Sequence, residues 1–178
     1  EQPERVFNVG AIGIENIKKV PLMSKRELEE SLGFEMGNKC LLVTYHPVTL
    51  ENSTAEEQSQ NLLNSLDQYK DYRIIFTMPN SDTGGQVIAD EIEHYAEEHK
   101  DKVRAYKSLG MRRYLSVMKY CAAVVGNSSS GIIETPSFHI PTLNIGSRQD
   151  GRLAADSVHN CATNKESISL GIDYILSD

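Results

Sequence analysis

The residues best suited to chemistry in this sequence form a serine-rich turn. An apolar run at 122–125, which predicts a buried parallel strand, gives way to Gly126-Asn127, three serines at 128–130 and Gly131, and a short helical pattern follows. The first N–H groups of a helix have no internal partner and lie at the positive end of its dipole, and serine hydroxyls add donors. Gly131 would let a phosphate approach the backbone closely. The turn therefore predicts a diphosphate or nucleotide site, with an ordinary serine-capped turn as the alternative.

Glu134 lies one helical turn beyond the serines. Its carboxylate could accept hydrogen bonds from the hydroxyls of a ribose attached to a bound phosphate. A glutamate that only favours the helix dipole would occupy the same position. The stretch lacks both the Gly-Lys-Ser/Thr of a Walker A loop and the GxGxxG spacing of dinucleotide-binding turns. The pattern thus indicates a nucleotide without naming one.

Polar positions follow the other predicted strands in the same way. His46 follows one strand, Asn80 the next, Ser108-Leu109 a third, and Arg148 the strand after the serine turn. A histidine can donate to a diphosphate or transfer a proton, and a guanidinium matches phosphate geometry. Considered one at a time, His46 could equally be an ordinary loop histidine, and Arg148 could equally be a solvated arginine. Since the carboxyl ends of parallel strands meet at one edge of a sheet, their convergence is stronger evidence than any single turn.

Strand and helix patterns alternate along the chain, which predicts an α/β fold with a doubly wound, Rossmann-like parallel sheet in one domain over 1–178. A capping box at Ser24 and Glu27 marks the start of one helix. Gly10 and Gly13 predict a flexible joint after a short strand at 6–9. The other predicted strands are 39–45, 73–78, 102–106, 122–125, 141–146 and 158–162. The predicted helices are 25–32, 55–69, 85–99 (burying Val87, Ile88, Ile92 and Tyr95), 111–120, a two-turn segment around Ile132, and 165–176.

Composition narrows the class of protein. The chain has 178 residues, 39% of them hydrophobic, and a net charge of −7, which suits one packed domain and disfavours nucleic-acid binding. Cys40, Cys121 and Cys161 lie in apolar runs, so we expect reduced core thiols in a cytoplasmic protein and no metal site. No apolar run is long enough to span a membrane. The chain begins at Glu1, and we favour part of a longer protein over a processed form.

Several separated motifs together resemble the UDP-N-acetylglucosamine 2-epimerases. The sequence carries, in the order typical of that family, HPVT at 46–49, MPNSD at 78–82, GNSSSGIIE at 126–134 and PTLNIGSRQDGR at 141–152. The non-hydrolysing branch typically has His-Arg-Arg-Glu-Asn in place of the first motif and a Thr-Glu-Arg-Pro-Glu type of loop near the end of the last. The resemblance covers nearly the whole chain and favours the hydrolysing branch.

The resemblance implies a fold and a reaction. The family is similar to GT-B enzymes, in which two Rossmann-like domains enclose the substrate, and this chain matches the second domain only. The hydrolysing enzymes remove the C2 proton of UDP-N-acetylglucosamine, expel UDP and add water, releasing N-acetylmannosamine for sialic acid and related synthesis. The acid–base carboxylates would belong to the first domain, which the chain lacks, and no metal or other cofactor is required.

The resemblance also implies a role for each candidate residue. Ser128 and Ser129, together with Gly131, would hold the diphosphate, and Glu134 would bind the ribose. The backbone at Leu109, with its two preceding residues, would line the uracil. Facing the diphosphate and the sugar would be Asn80, Arg148 and His46, the last being the candidate catalytic residue.

Two other functions are consistent with the same nucleotide site. One is the donor domain of a GT-B glycosyltransferase, and the other is a non-catalytic UDP-sugar sensor. The sequence also leaves open whether the sugar is N-acetylglucosamine or a 2,4-diacetamido relative, and whether the protein forms a homo-oligomer.

Overall fold

The structure is a computed structural model that describes residues 2–5, 7, 10–48, 54–80 and 84–177. The predicted strand at 6–9 lies outside these residues except for Phe7, and so do Thr49 and the last two residues of the motif at 78–82.

Strands and helices alternate along the described residues as the sequence predicts. The strands are β1 (Cys40–Thr44), β2 (Arg73–Thr77), β3 (Val103–Tyr106), β4 (Ala123–Gly126), β5 (Thr142–Ile145) and β6 (Val158–Cys161). The helices are α1 (Ile12–Lys19), α2 (Lys25–Leu32), α3 (Ala55–Leu66), α4 (Gly85–Glu98), α5 (Gly110–Tyr120), α6 (Ser130–Ile133) and α7 (Lys165–Leu176), with short 3₁₀ segments at Pro3–Arg5 and Thr135–Phe138.

The strands form one parallel sheet in the order β3-β2-β1-β4-β5-β6. The chain winds outward from β1 in one direction and from β4 in the other. Neighbouring strands β1 and β4 therefore mark the point at which the strand order reverses, where ligands bind in open α/β sheets. The predicted doubly wound, Rossmann-like fold is confirmed.

Both faces of the sheet are covered, which explains why its central strands are continuous apolar runs. Successive side chains of a strand point to opposite faces. Leu41 and Val43 of β1 accordingly join the core beneath α3, α4 and α7, whereas Cys40 and Leu42 join the core beneath α2 and α5. These two cores hold the strand ends, and with them the loops that follow, in fixed positions.

Helix α2 has the predicted bounds and the predicted cap. The Ser24 hydroxyl accepts from the Glu27 backbone N–H at 3.3 Å, and the Glu27 carboxylate accepts from the Ser24 N–H at 2.8 Å. The helix ends at Gly33, whose φ of 61° lies in the left-handed region. The capping box and the glycine stop are thus both confirmed.

Three predicted helices differ from the structure. Helix α3 ends at Leu66, three residues early, because the N–H groups of Gln68 and Tyr69 bond three residues back and tighten the last turn. Val87 is exposed, since the buried face of α4 is formed by Ile88, Ile92 and Tyr95. The segment around Ile132 is one α-helical turn followed by a 3₁₀ turn, because Pro136 cannot continue the helical ladder.

The prediction of a flexible joint at Gly10 and Gly13 was wrong for Gly13, which lies inside a helix. Residues 12–19 form helix α1, and only Gly10, with a φ of 74°, keeps a conformation that favours glycine. A glycine inside a helix is unfavourable, although an ion pair between Glu15 and Lys19, one turn apart, supports this short helix. The tertiary contact that α1 makes with the site is described below.

The described residues include all three cysteines and every helix given above. All three cysteines are free, Cys40 and Cys121 are buried, and burial raises the pKa of Cys40 to about 12. These thiols therefore stay protonated and unreactive at neutral pH. In the described part of the chain, no helix has the length and apolar character needed to cross a membrane.

Candidate functional site

A pocket of about 390 Å³ opens at the carboxyl ends of the central strands, beside the point where the strand order reverses. It brings together four of the predicted site residues, which are His46, Leu109, Ser128 and Glu134. A second hollow, of about 460 Å³, lies along the edge strand β3 and contains none of them. We therefore regard the first pocket as the candidate site.

His46 is held firmly in the turn after β1. Only 8% of it is exposed, and its backbone N–H donates to Asn127 Oδ1 at 2.7 Å. The backbone N–H of Asn80 donates to His46 Nδ1 at 3.1 Å. Because Nδ1 is an acceptor, the proton of the neutral ring lies on Nε2, which makes that nitrogen a donor. The sequence predicted His46 and Asn80 as site residues, and the structure joins them directly.

Asn127 was not among the predicted residues, yet it links three turns of the site. Its side chain accepts from His46 N and donates from Nδ2 to His46 O at 2.8 Å. Its backbone N–H donates to Thr44 O at 3.1 Å. Its carbonyl accepts from Arg148 Nη1 at 3.1 Å and from Gln149 Nε2 at 2.7 Å. The turns after β1, β4 and β5 therefore share one buried residue.

The backbone amides of the serine turn that remain available precede helix α6, whereas the sequence predicted them in the first turn of that helix. The N–H groups of Gly131 and Ile132, in the first helical turn, donate to the carbonyls of Ser128 and Ser129 at 3.1 Å each. Within the described residues, the backbone N–H groups of Ser128 and Ser129 themselves have no partner. The expected anion donors of α6 are thus already satisfied, and the turn before the helix supplies the available amides.

Hydroxyl groups line the floor of the pocket. Ser128 Oγ lies 3.1 Å from Ser130 Oγ, which lies 2.5 Å from the hydroxyl of Tyr114. Thr44 and Thr77, the last residues of β1 and β2, pair at 2.6 Å. Burial raises the pKa of Tyr114, so its hydroxyl stays protonated. Tyr114 and the two threonines were not predicted as site residues, although each threonine lies one residue before the end of a predicted strand, close to where ligand-facing residues were expected.

Two glycines shape the turn for reasons that differ from the prediction. A Cβ on Gly131 would lie 2.9 Å from Thr142 Cγ2, so this glycine allows α6 to pack on β5 and does not line the pocket. The structure therefore requires glycine at position 131 for packing against β5, and not for the close approach of a phosphate. Gly126, with a φ of 139°, would place a Cβ 1.9 Å from Thr44 O. The chain can leave β4 beside β1 only with glycine there.

Glu134 faces the pocket from the end of α6. Its carboxylate accepts no hydrogen bond in the described part of the chain, and partial burial raises its pKa. Helix α1 approaches this carboxylate closely, because a Cβ on Gly13 would lie 3.0 Å from Glu134 Oε1. Asn16 of α1 also lines the pocket. This packing explains both the unexpected helix and its glycine.

The far end of the pocket is formed by the turn between β3 and α5. The Leu109 side chain is 3% exposed and belongs to the core beneath α2 and α5. Lys107, Ser108 and Gly110 line the pocket beside it. The side chain of Leu109 therefore anchors this turn to the core beneath α2 and α5.

The remaining predicted residues lie near the pocket without lining it. Asn80 is exposed and touches the site through His46, Ser129 adjoins Ser128, and Arg148 is half-buried and reaches Asn127. Among the residues that the structure describes, no group of His, Cys, Asp or Glu side chains is arranged to hold a metal ion.

A comparison with protein families shows which family this chain belongs to. A family model described as UDP-N-acetylglucosamine 2-epimerase matches residues 1–178. The chain belongs to this UDP-N-acetylglucosamine 2-epimerase family. The resemblance drawn from the motifs at 46–49, 126–134 and 141–152 is thereby confirmed.

Relatives in the epimerase family show what the chain is similar to. It is 38% identical over 158 residues to a GDP/UDP-N,N'-diacetylbacillosamine 2-epimerase (hydrolyzing) of Campylobacter jejuni, covering 89% of this chain and 41% of the relative. It is 34% identical over 177 residues to a UDP-N,N'-diacetylbacillosamine 2-epimerase (hydrolyzing) of Legionella pneumophila, covering 99% and 46%. The chain thus spans less than half the length of these relatives.

Solved structures agree on the fold of this epimerase-family chain. The S. aureus MnaA–UDP co-structure matches with a TM-score of 0.72 and 19% identity, covering 100% of this chain and 46% of that one. At this identity the match shows the fold alone, and it agrees with the predicted second half of a GT-B-type enzyme.

Proposed function

We propose that this chain is the UDP-binding half of a hydrolysing 2-epimerase, which converts UDP-N-acetylglucosamine and water to N-acetylmannosamine and UDP. The observation that carries the proposal is the pocket at the carboxyl ends of β1 and β4, where hydroxyls, available amides, a neutral histidine and a carboxylate meet. Both relatives described above are named as hydrolysing enzymes. Because the chain spans less than half of each, the rest of the enzyme supplies the residues that remove and return protons.

The diphosphate binds at the turn after β4. The amides of Ser128 and Ser129 and the serine hydroxyls donate to its oxygens, and Arg148 contributes positive charge from the turn after β5. In the reaction, the bond between the sugar and the diphosphate breaks and negative charge grows on the departing UDP. Donors that are already oriented stabilise that charge without reorganising, which is the kind of electrostatic help that dominates many enzymes.

His46 and Glu134 act at the two sides of this turn. With Nδ1 held by the Asn80 amide, His46 presents Nε2–H as a donor to the diphosphate or the sugar. Glu134 accepts hydrogen bonds from the ribose hydroxyls, and these bonds favour its ionised form against the effect of burial. The backbone between Lys107 and Gly110 lines the uracil.

A second substrate candidate is the UDP-linked 2,4-diacetamido sugar. Two relatives, 38% and 34% identical, are named for a diacetylbacillosamine nucleotide, whereas a third, 36% identical, is named polysialic acid biosynthesis protein P7 of Escherichia coli. The two sugars carry the same nucleotide and the same 2-acetamido group, so the pocket described here would bind either. The groups that distinguish them lie on the sugar, away from the ribose and base.

The glycosyltransferase and sensor alternatives use the same nucleotide pocket but give different products. Incubation of the full two-domain enzyme with each UDP-sugar in deuterated water, followed by NMR, separates all three. The proposal predicts free UDP and the 2-epimeric free sugar with deuterium at C2. A UDP-sugar left intact for hours, or sugar transferred only to an added acceptor, would contradict it.

A further inference from the structure

We propose that Asn127 is the positioning residue of the site, because it fixes His46 and Arg148 in a single geometry on either side of the serine turn. This inference rests on the proposed function, since both of the residues it positions are assigned to the UDP-sugar. Asn127 itself lines no part of the pocket and acts through its neighbours.

The argument begins with burial. Asn127 has no exposed surface, so each of its polar groups needs a partner within the protein. All four groups have one. The side chain makes two bonds to the backbone of His46, the N–H bonds to Thr44 O, and the carbonyl accepts from Arg148 and Gln149.

The pattern of bonds requires an asparagine. The backbone of His46 presents an N–H and a carbonyl to the same side chain, so that side chain must accept at one atom and donate at the other. A primary amide does both, whereas a carboxylate only accepts and an aliphatic chain does neither. The Asn127 side chain thus pairs with the backbone of His46 as a neighbouring strand would, although His46 lies beyond the end of β1.

The connection also explains how one loop can affect another. The β5 turn contacts Asn127 through Arg148 and Gln149, and Gln149 is 5% exposed. His46 contacts it from the β1 turn. A shift of Asn127 would therefore move the candidate catalytic histidine and the candidate phosphate cation together.

The test compares Asn127→Ala with Asn144→Ala in the full two-domain enzyme. Asn144 is a matched control, because it is 3% exposed and its side-chain Nδ2 donates a hydrogen bond to Asn160 Oδ1 at 2.8 Å, away from the pocket. For each variant, the dissociation constant of UDP is measured by calorimetry, kcat and KM by product formation, and the unfolding temperature by scanning fluorimetry.

We expect Asn127→Ala to weaken UDP binding at least tenfold, to raise KM and to lower kcat. Asn144→Ala should lower the unfolding temperature while the UDP affinity stays within twofold of wild type. A purely structural role for Asn127 would reduce the active fraction, and hence kcat, without changing the affinity or KM of the folded molecules. Unchanged affinity and KM in Asn127→Ala would therefore overturn the inference.

A second variant covers the case in which Asn127→Ala does not fold. Asn127→Asp keeps the acceptor for the His46 N–H but places a carboxylate oxygen against the His46 carbonyl and adds a buried negative charge, so a weakening of at least tenfold is expected. Wild-type affinity in that variant would overturn the inference. If the wild-type enzyme itself does not bind UDP, the proposed function fails, which this comparison distinguishes from failure of the role of Asn127.

Discussion

The two ends of the sheet use the same kinds of charged residue in opposite ways. At the amino ends of the strands, arginine and glutamate side chains are engaged by the protein. At the carboxyl ends, within the described residues, Arg148 stacks on no aromatic ring and the Glu134 carboxylate accepts no hydrogen bond. The difference separates the end that holds the fold together from the end that can bind a ligand.

The amino end shows the first pattern. The guanidinium groups of Arg73 and Arg104 stack on Phe34, with distances of 5.5 and 4.9 Å to the ring centre, and both also donate to backbone carbonyls. The Glu29 carboxylate accepts from the N–H groups of Met36 and Gly37 at 2.8 and 3.3 Å. Both guanidinium groups are thus held against the same ring, and the Glu29 carboxylate is used by the loop before β1.

The carboxyl end shows the second pattern. Of the five N–H donors of Arg148, the described structure engages one, at Asn127 O. The Glu134 carboxylate accepts no hydrogen bond there, and the amides of Ser128 and Ser129 have no partner within the described residues. Charge alone therefore does not mark a site, whereas a carboxylate and backbone amides without partners beside one pocket do.

The largest effect is expected from a glycine at each end. Gly126→Ala would force a Cβ against Thr44 O in a backbone conformation that L-residues rarely adopt, so it should cost roughly 3 kcal/mol or more of unfolding free energy. Gly37→Ala, at a φ of 62° with open space around it, should cost about 1 kcal/mol. Urea denaturation measures both. Equal losses would show that the turn after β4 is not constrained by β1.

An intermediate effect is expected from the two kinds of arginine. Arg148→Met should weaken UDP binding roughly ten- to hundredfold, as expected for loss of charge-assisted hydrogen bonds. Arg104→Met should lower stability by about 1 kcal/mol through the lost stacking on Phe34 and leave UDP affinity within about twofold. Calorimetric titration with UDP, beside denaturant unfolding, checks the pair. The comparison breaks if Arg104→Met weakens binding as much as Arg148→Met.

The smallest effect concerns the two glutamates. Burial raises the pKa of Glu134, so the folded state binds its proton more tightly than the unfolded state, and this contribution to stability falls as the pH rises from about 4.5 upward. Glu134→Gln should remove that dependence, changing stability at neutral pH by less than about 1 kcal/mol, and weaken UDP binding roughly three- to tenfold.

Glu29→Gln provides the control for this prediction. It should lower stability at neutral pH, because the amides of Met36 and Gly37 lose their carboxylate, and leave UDP affinity unchanged. Unfolding curves at several pH values and UDP titrations measure both variants. A pH profile of Glu134→Gln identical to wild type would show that this carboxylate does not titrate differently in the folded state.

Local patterns predicted most of the fold. Helix α2 follows from its capping box and glycine stop, and α7 has the predicted bounds, because both depend on contacts within a few residues. The strands end within two residues of their predicted limits, since turn residues interrupt each apolar run. Helix α1 was missed because its contact with Glu134 joins segments more than a hundred residues apart.

The candidate site was predicted in outline and not in detail. His46, Leu109, Ser128 and Glu134 meet in one pocket because each follows a parallel strand, which the alternating pattern already implied. Tyr114 was not predicted as a site residue, yet its hydroxyl pairs with Ser130 across the pocket floor. Pairings of this kind depend on how helices pack on the sheet, which no local pattern specifies.

The sequence by itself determined the order of strands and helices, the positions of the turns and the family, because periodicity, capping and motif spacing are properties of neighbouring residues. Only the tertiary structure decided which donors remain available. The amides of Gly131 and Ile132 are taken by the turn itself, whereas those of Ser128 and Ser129 are not. Every polar group of Asn127 has a hydrogen-bond partner. Whether a polar group has a partner depends on the atoms that folding places around it, and these come from distant parts of the chain.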